Sequence, residues 1–157
     1  MKRYSGFTLI EVLISLTIIG LLFGFGFVSF RDFSRRQAVV SAGRAVIGDL
    51  RLAQSKALSG EKPASCNGAN TLSSYSFQII NSISYKVVAN CLAGNVDIKI
   101  ENLPDGISMS PASGTISFKV LGQGTNITAG GSFVITLTQA GTNNTSLVTV
   151  TSGGEIK

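Results

Sequence analysis

Phe7 to Phe30 forms an unbroken apolar run in which Glu11 is the single charge. A helix needs roughly 20 apolar residues to span a bilayer. A secretory signal has a shorter apolar region, about 7–15 residues, ending at a small-residue cleavage site. This run is longer, and no A-x-A site follows it, so it predicts a retained membrane helix. A buried core helix is the alternative, and the apolar character on every face argues against it. Beyond residue 30 the period changes. Val39, Gly43, Val46, Leu50, Ala53 and Ala57 recur three and four residues apart, the stripe of an amphipathic helix. Arg44, Asp49, Arg51 and Lys56 are expected off that stripe. No proline intervenes before Pro63, and Gly60 after Lys56 predicts the stop. A single helix over residues 7–59 would be about 80 Å long.

After Gly60 the pattern turns to short β-like runs separated by Gly, Asn, Ser and Pro. Strands are predicted at Tyr75–Ile80, Tyr85–Ala89, Val96–Glu101, Thr115–Val120, Phe133–Thr138 and Leu147–Thr151. Asn81-Ser82 marks a hairpin and Gly130-Gly131 another turn. Alternation in Ile98-Lys99-Ile100-Glu101 and in Ile116-Ser117-Phe118-Lys119-Val120 predicts a sheet with one wet face. Residues 67–70 and 122–126 read as exposed loops. The expected class is α+β: a long N-terminal helix, membrane-spanning in its first half (7–30) and amphipathic in its second (31–59). It packs on a C-terminal antiparallel β-rich domain over residues 60–157.

Composition narrows the chemistry. Histidine is absent, which removes the commonest general base and metal ligand. There is no P-loop and no G-x-S-x-G. Asp97, Glu101 and Asp105 are the nearest carboxylate cluster, and they read as strand-face charges and a Pro-Asp-Gly turn. The chain is expected to be no enzyme and to hold no cofactor or metal. Cys66 and Cys91 are the two cysteines. They suit one disulfide in an exported domain, the alternative being two reduced, buried thiols; zinc is disfavoured without histidine. Asn126-Ile127-Thr128 and Asn144-Thr145-Ser146 fit a glycosylation pattern and are read as loop residues. The net charge of +5 falls to about +3 without Lys2 and Arg3, below that of a dedicated nucleic-acid binder.

Glu11 is the odd residue of the apolar run. A carboxylate in hydrocarbon costs several kcal/mol, so an intramembrane acid is a functional candidate; a solvated acid near the membrane surface is the other reading. The stretch Gly6-Phe7-Thr8-Leu9-Ile10-Glu11-Val12-Leu13-Ile14-Ser15-Leu16, after the basic Met1-Lys2-Arg3-Tyr4-Ser5, closely resembles the start of type IV prepilins and type II secretion pseudopilins. That resemblance implies a leader over residues 1–6, cleaved after Gly6 by prepilin peptidase, and N-methylation of the new terminus, Phe7. It also implies that Glu11 neutralises the Phe7 ammonium of a neighbouring subunit during assembly.

The positive-inside rule alone would be equivocal, since Arg31, Arg35 and Arg36 follow the run while Lys2 and Arg3 precede it. The cleavage motif and the cysteines favour a cytoplasmic amino terminus and an exported head. The location implied is the bacterial inner membrane, single-pass, and then the assembled fibre. The three arginines suit lipid headgroups, neighbouring subunits or plain solvation. Gly20 and Gly24, with Gly26, suggest close helix approach or loosening in a fibre; simple tolerance of glycine is the alternative.

The second half is similar, more loosely, to the GspH/FimT group of minor pilins and pseudopilins. The similarity is carried by Leu52-Ala53-Gln54-Ser55-Lys56-Ala57, by Ile116-Ser117-Phe118 with Gly122, and by the ending Gly153-Gly154-Glu155-Ile156-Lys157. It implies a minor subunit near a fibre tip, supporting protein secretion. Its partners would be other major and minor subunits, the peptidase, inner-membrane lipid and secreted substrates. A DNA-binding minor pilin for transformation is the alternative, with Lys86, Lys99 and Lys119 as a basic face. Glu155 stands where some members of the group have the first arginine of a DNA-linked Gly-Arg-x-Arg tail.

Overall fold

In a computed structural model, residues 6–66 and 71–157 are described, those at 25–30 by their backbone alone. Most of the expected leader and the loop predicted at 67–70 therefore lie outside the described residues. The chain divides into two compact units between Arg36 and Gln37.

A single helix, α1, runs from Leu9 to Ser59. It starts at Leu9 rather than Phe7 because Thr8 caps it: the Thr8 hydroxyl accepts the Glu11 N–H at 3.4 Å, and the Thr8 carbonyl accepts that of Val12. Thr8-x-x-Glu11 has the spacing of a capping box, and Glu11 in the first turn opposes the positive end of the helix dipole. Ser15 and Thr17 bond back to the carbonyls of Glu11 and Leu13, so neither hydroxyl is left unpaired on the apolar surface. At the other end Gly60 adopts φ +63°, the left-handed conformation that glycine enters without a Cβ penalty, as predicted.

In the second unit the predicted stripe is buried throughout, from Val39 to Ala57, with Ala42 added. Asp49 corrects the expectation. It is only 6% exposed rather than off the stripe. It lies three residues after Val46 and four before Ala53, which puts it on the stripe's edge.

Among the described residues seven antiparallel strands follow: β1 (Leu72–Asn81), β2 (Ser84–Cys91), β3 (Gly94–Asn102), β4 (Ile107–Ser110), β5 (Gly114–Lys119), β6 (Ser132–Gln139) and β7 (Thr145–Thr151). They form a four-stranded sheet, β3-β2-β1-β5, and a three-stranded sheet, β4-β6-β7. The six predicted strands are present and longer at most ends. β4 was not expected; it is four residues long between Gly106 and Pro111, with Ile107 and Met109 buried and the two serines exposed. Val120 leaves β5 for a short 3₁₀ turn, Val120–Gly122.

One apolar core joins α1 to both sheets, with Tyr75, Phe77, Val87 and Ile116 from one and Leu137 and Val148 from the other. Phe77 and Tyr85 stack with ring centroids 4.8 Å apart. Gly43 lets the helix close on the smaller sheet, since a Cβ there would stand 2.5 Å from the Ser146 hydroxyl oxygen. Cys66, at the end of a 3₁₀ turn, is disulfide-bonded to Cys91 at the end of β2, Cα–Cα 5.7 Å.

The wet-face expectation holds for β5, where Ile116 and Phe118 are buried and Lys119 is exposed. It fails for β3. The register jumps from Val87↔Lys99 to Val88↔Asp97, so Ile98 is an extra residue, a β-bulge. The alternation reverses there: Ile100 faces solvent at 59% exposure, and Lys99 turns towards the helix.

Candidate functional site

The first candidate region is the amino-terminal edge of α1. Gly6, Phe7 and Thr8 precede the helix and are exposed, Phe7 at 81%. A Cβ at Gly6 would meet nothing within 4 Å. The Gly6–Phe7 peptide bond is thus accessible and outside the helical hydrogen-bond ladder, as a peptidase requires of its substrate. Glu11 lies one turn beyond and is exposed. Around it Leu9, Ile10, Leu13 and Leu16, and further on Leu22 and Phe23, are all exposed. α1 is continuous through Gly20, Gly24 and Gly26. Among the described residues no helix is both long and apolar enough to cross a membrane.

The second region is a charged cluster in the head that the sequence reading missed. The Tyr85 hydroxyl donates to Asp49 Oδ2 at 2.8 Å. Lys99 Nζ donates to Asp49 Oδ1 at 2.8 Å and to Oδ2 at 3.0 Å, and it pairs with Glu101 at 3.2 Å. Burial first, and then the Asp49 carboxylate, push the Tyr85 phenol far above its ordinary range. The hydrogen bond to Asp49 raises Lys99 as well, against a smaller opposing effect of burial. Beside the cluster a groove of about 470 Å³ opens between α1 and the end of β3, lined by Ala42, Ala45, Gly48, Leu103 and Pro104 among others. Asp49 on the stripe's edge was the one sequence signal for this cluster. The bulge that brings Lys99 to it has no signature in the alternation of β3.

The proposed basic face is not assembled. Residues directly paired across strands share a face, so Lys86 (opposite Gln78) and Lys99 (opposite Val87, itself opposite Phe77) point to opposite sides of the sheet. Lys86 is bonded to Asp97 at 2.8 Å. Lys119 lies at the far end of the sheet, opposite Ser74. Asp97 and Glu101 likewise fall on opposite faces, opposite Val88 and Tyr85, so they make no catalytic pair. Instead the outer face carries a polar ladder in which Ser117, Ser76, Asn90 and Ser74 hydrogen-bond in turn. Among the described residues no group of three or more side chains is placed to hold a metal ion.

Comparison with known families adds to this geometry. A family model described as Prokaryotic N-terminal methylation motif matches residues 1–27. A second, Putative Ig domain, matches residues 56–153, well over half of the chain. The chain belongs to that Ig domain family. Its head shares only the count of four plus three strands with a constant-type Ig sandwich; the strand orders β3-β2-β1-β5 and β4-β6-β7 differ from that sandwich's, and the amphipathic half of α1 is part of the core. The methylation motif is that of type IV prepilins, and it implies a type IV pilin or pseudopilin, a structural subunit rather than an enzyme. The long helix on an antiparallel β domain is consistent with the type IV pilin-like fold. No curated protein and no solved structure matches the chain.

Proposed function

We propose that this protein is a minor pilin or pseudopilin, cleaved after Gly6, methylated on Phe7 and assembled near the tip of a fibre that supports protein secretion. The observation that carries the reading is the exposed, non-helical Gly6–Phe7 bond set just before a capped helix whose described apolar surface is uncovered. An apolar surface of that extent requires either lipid or other helices around it. In the membrane state, residues 7–30 are a single span with the amino terminus cytoplasmic and the head exported. In the fibre, the same helix packs among those of neighbouring pilin-type subunits. Glu11 then has a partner in both states: solvent and headgroups at the membrane surface, and the Phe7 ammonium of the next subunit in the fibre. Pairing removes most of the cost of burying its charge.

The GspH/FimT-like role belongs to this proposal, with prepilin peptidase, other pilin-type subunits and secreted substrates as partners. DNA capture is the weaker reading, since Lys86 and Lys99 are already paired with carboxylates. The test is Glu11→Ala in cells carrying the assembly machinery. We expect membrane insertion at the normal level and a large loss of incorporation into fibres. Incorporation equal to the unaltered chain contradicts the pairing mechanism.

A further inference from the structure

The outer edges of the two sheets are closed over most of their length by the chain itself. Along β5, the Asn126 side chain accepts the Ser117 N–H and donates to the Thr115 carbonyl, and the Lys119 N–H donates to the Gly124 carbonyl. Along β4, the Met109 N–H donates to the Ser82 carbonyl and that of Ile107 to Pro104. Along β7, Thr149 and Lys157 exchange both backbone bonds, and the Thr151 N–H donates to the Glu155 carbonyl. The end of β3 differs. The Leu103 N–H donates to the Ile83 carbonyl. By antiparallel alternation Glu101 and Lys99 then bond to β2, while Ile100 and Asn102 turn their N–H and C=O groups away from it. Among the described residues nothing is bonded to that outward row, and both residues are exposed. The bulge at Ile98 confines the open row to this end of the strand. The groove of about 470 Å³ opens at the same end, lined by Glu101, Leu103 and Pro104 and, from α1, by Ala42, Ala45 and Gly48.

We propose that the Ile100–Asn102 edge takes up an extended segment of another polypeptide as an antiparallel fifth strand of the larger sheet, with one side chain of that segment filling the groove. An unpaired row of N–H and C=O groups is matched in full only by another extended backbone, and a pocket beside the edge then selects among side chains. Pairing fixes which side chain enters. The residue opposite Glu101 shares its face, and Glu101 lines the groove. The two flanking residues lie on the outer face, where Ile100 is 59% exposed. Ala42, Ala45, Leu103 and Pro104, with open space above Gly48, suit an aliphatic residue at the inward position. A second copy of this chain fits poorly. Matching its Ile100 to Asn102, and its Asn102 to Ile100, sets Glu101 directly opposite Glu101, an unfavourable like-charge pair. This goes beyond the assembly reading and does not depend on processing at Gly6.

The experiment is fluorescence anisotropy of a dye-labelled heptapeptide, Thr-Val-Thr-Leu-Thr-Val-Thr, titrated with the full-length chain in detergent. Saturable binding is expected. N-methylation of the two threonines beside the leucine removes the amides that face β3 and should abolish it. N-methylation of the leucine, whose amide faces away, should leave it unchanged. Gly48→Leu, which fills the groove, should weaken binding several-fold. So should Ile100→Pro, which removes an N–H that β2 does not use and which an edge strand tolerates; thermal unfolding of both variants checks the fold. The absence of saturable binding overturns the proposal. So does equal loss from the two kinds of methylation, or unchanged affinity in Gly48→Leu. Self-association of the unaltered chain in sedimentation that Ile100→Pro dissolves also overturns it, by making a second copy the occupant. The titration uses the purified chain without assembly machinery, so its failure leaves the reading of Gly6, Phe7 and Glu11 standing, and theirs leaves this one.

Discussion

At the scale of single residues, Asp49 is the most constrained side chain of the head. It accepts from Tyr85 and Lys99 while itself almost fully buried. Asp49→Ala leaves the buried Tyr85 phenol without its acceptor and Lys99 with Glu101 alone, which should cost on the order of 2 kcal/mol in denaturant unfolding. The pH dependence has a definite sign. Tyr85 and Lys99 both titrate above their ordinary values of 10.0 and 10.5 in the folded state, so the fold favours their protonated forms. The stability they contribute is whole below those values and is lost as pH rises through the folded ones. Thermal unfolding of the unaltered chain should be insensitive to these two groups near neutrality and should fall in strongly alkaline buffer. Asp49→Ala should lessen that alkaline fall, leaving the part that comes from the burial of Tyr85. An equally steep decline in the variant would place its origin elsewhere.

At the scale of elements, the closeness of α1 to β6 and β7 depends on Gly43. A side chain there meets Ser146 and Leu137, so Gly43→Leu should wedge helix from sheet and destabilise the head by about 1–3 kcal/mol. Gly48→Leu, which points into open space, should cost far less. Comparable losses in both variants, measured by chemical denaturation, would contradict the packing described. The disulfide works at the same scale, tying the segment after the helix to β2. Removing it with Cys66→Ser and Cys91→Ser together should lower stability by about 3 kcal/mol for a loop of this length.

The helix was legible in the sequence because its period, its stop at Gly60 and its apolar stripe all agree. Six strands were legible from β-branched and aromatic alternation. β4 was not, being short and set among serines and turn residues that resemble a loop. The charged cluster was half-legible: Asp49 sits at stripe spacing, whereas Lys99 reaches it through a bulge that depends on pairing with β2. The basic face failed for the same reason, since strand register decides which face a lysine takes.

At the scale of the whole molecule, an amino-terminal motif of prepilin type precedes a head of the Ig domain family. On the proposed reading, the helix anchors the chain in lipid and then in the fibre. The central claim is processing between Gly6 and Phe7, and its most direct measurement is the intact mass and N-terminal fragmentation of the chain purified from membranes of cells with active prepilin peptidase. The account predicts a mature chain beginning at Phe7 with one methyl group on its α-amino nitrogen. A chain that retains Met1–Gly6 in the presence of the peptidase, or that begins at another residue, would contradict it.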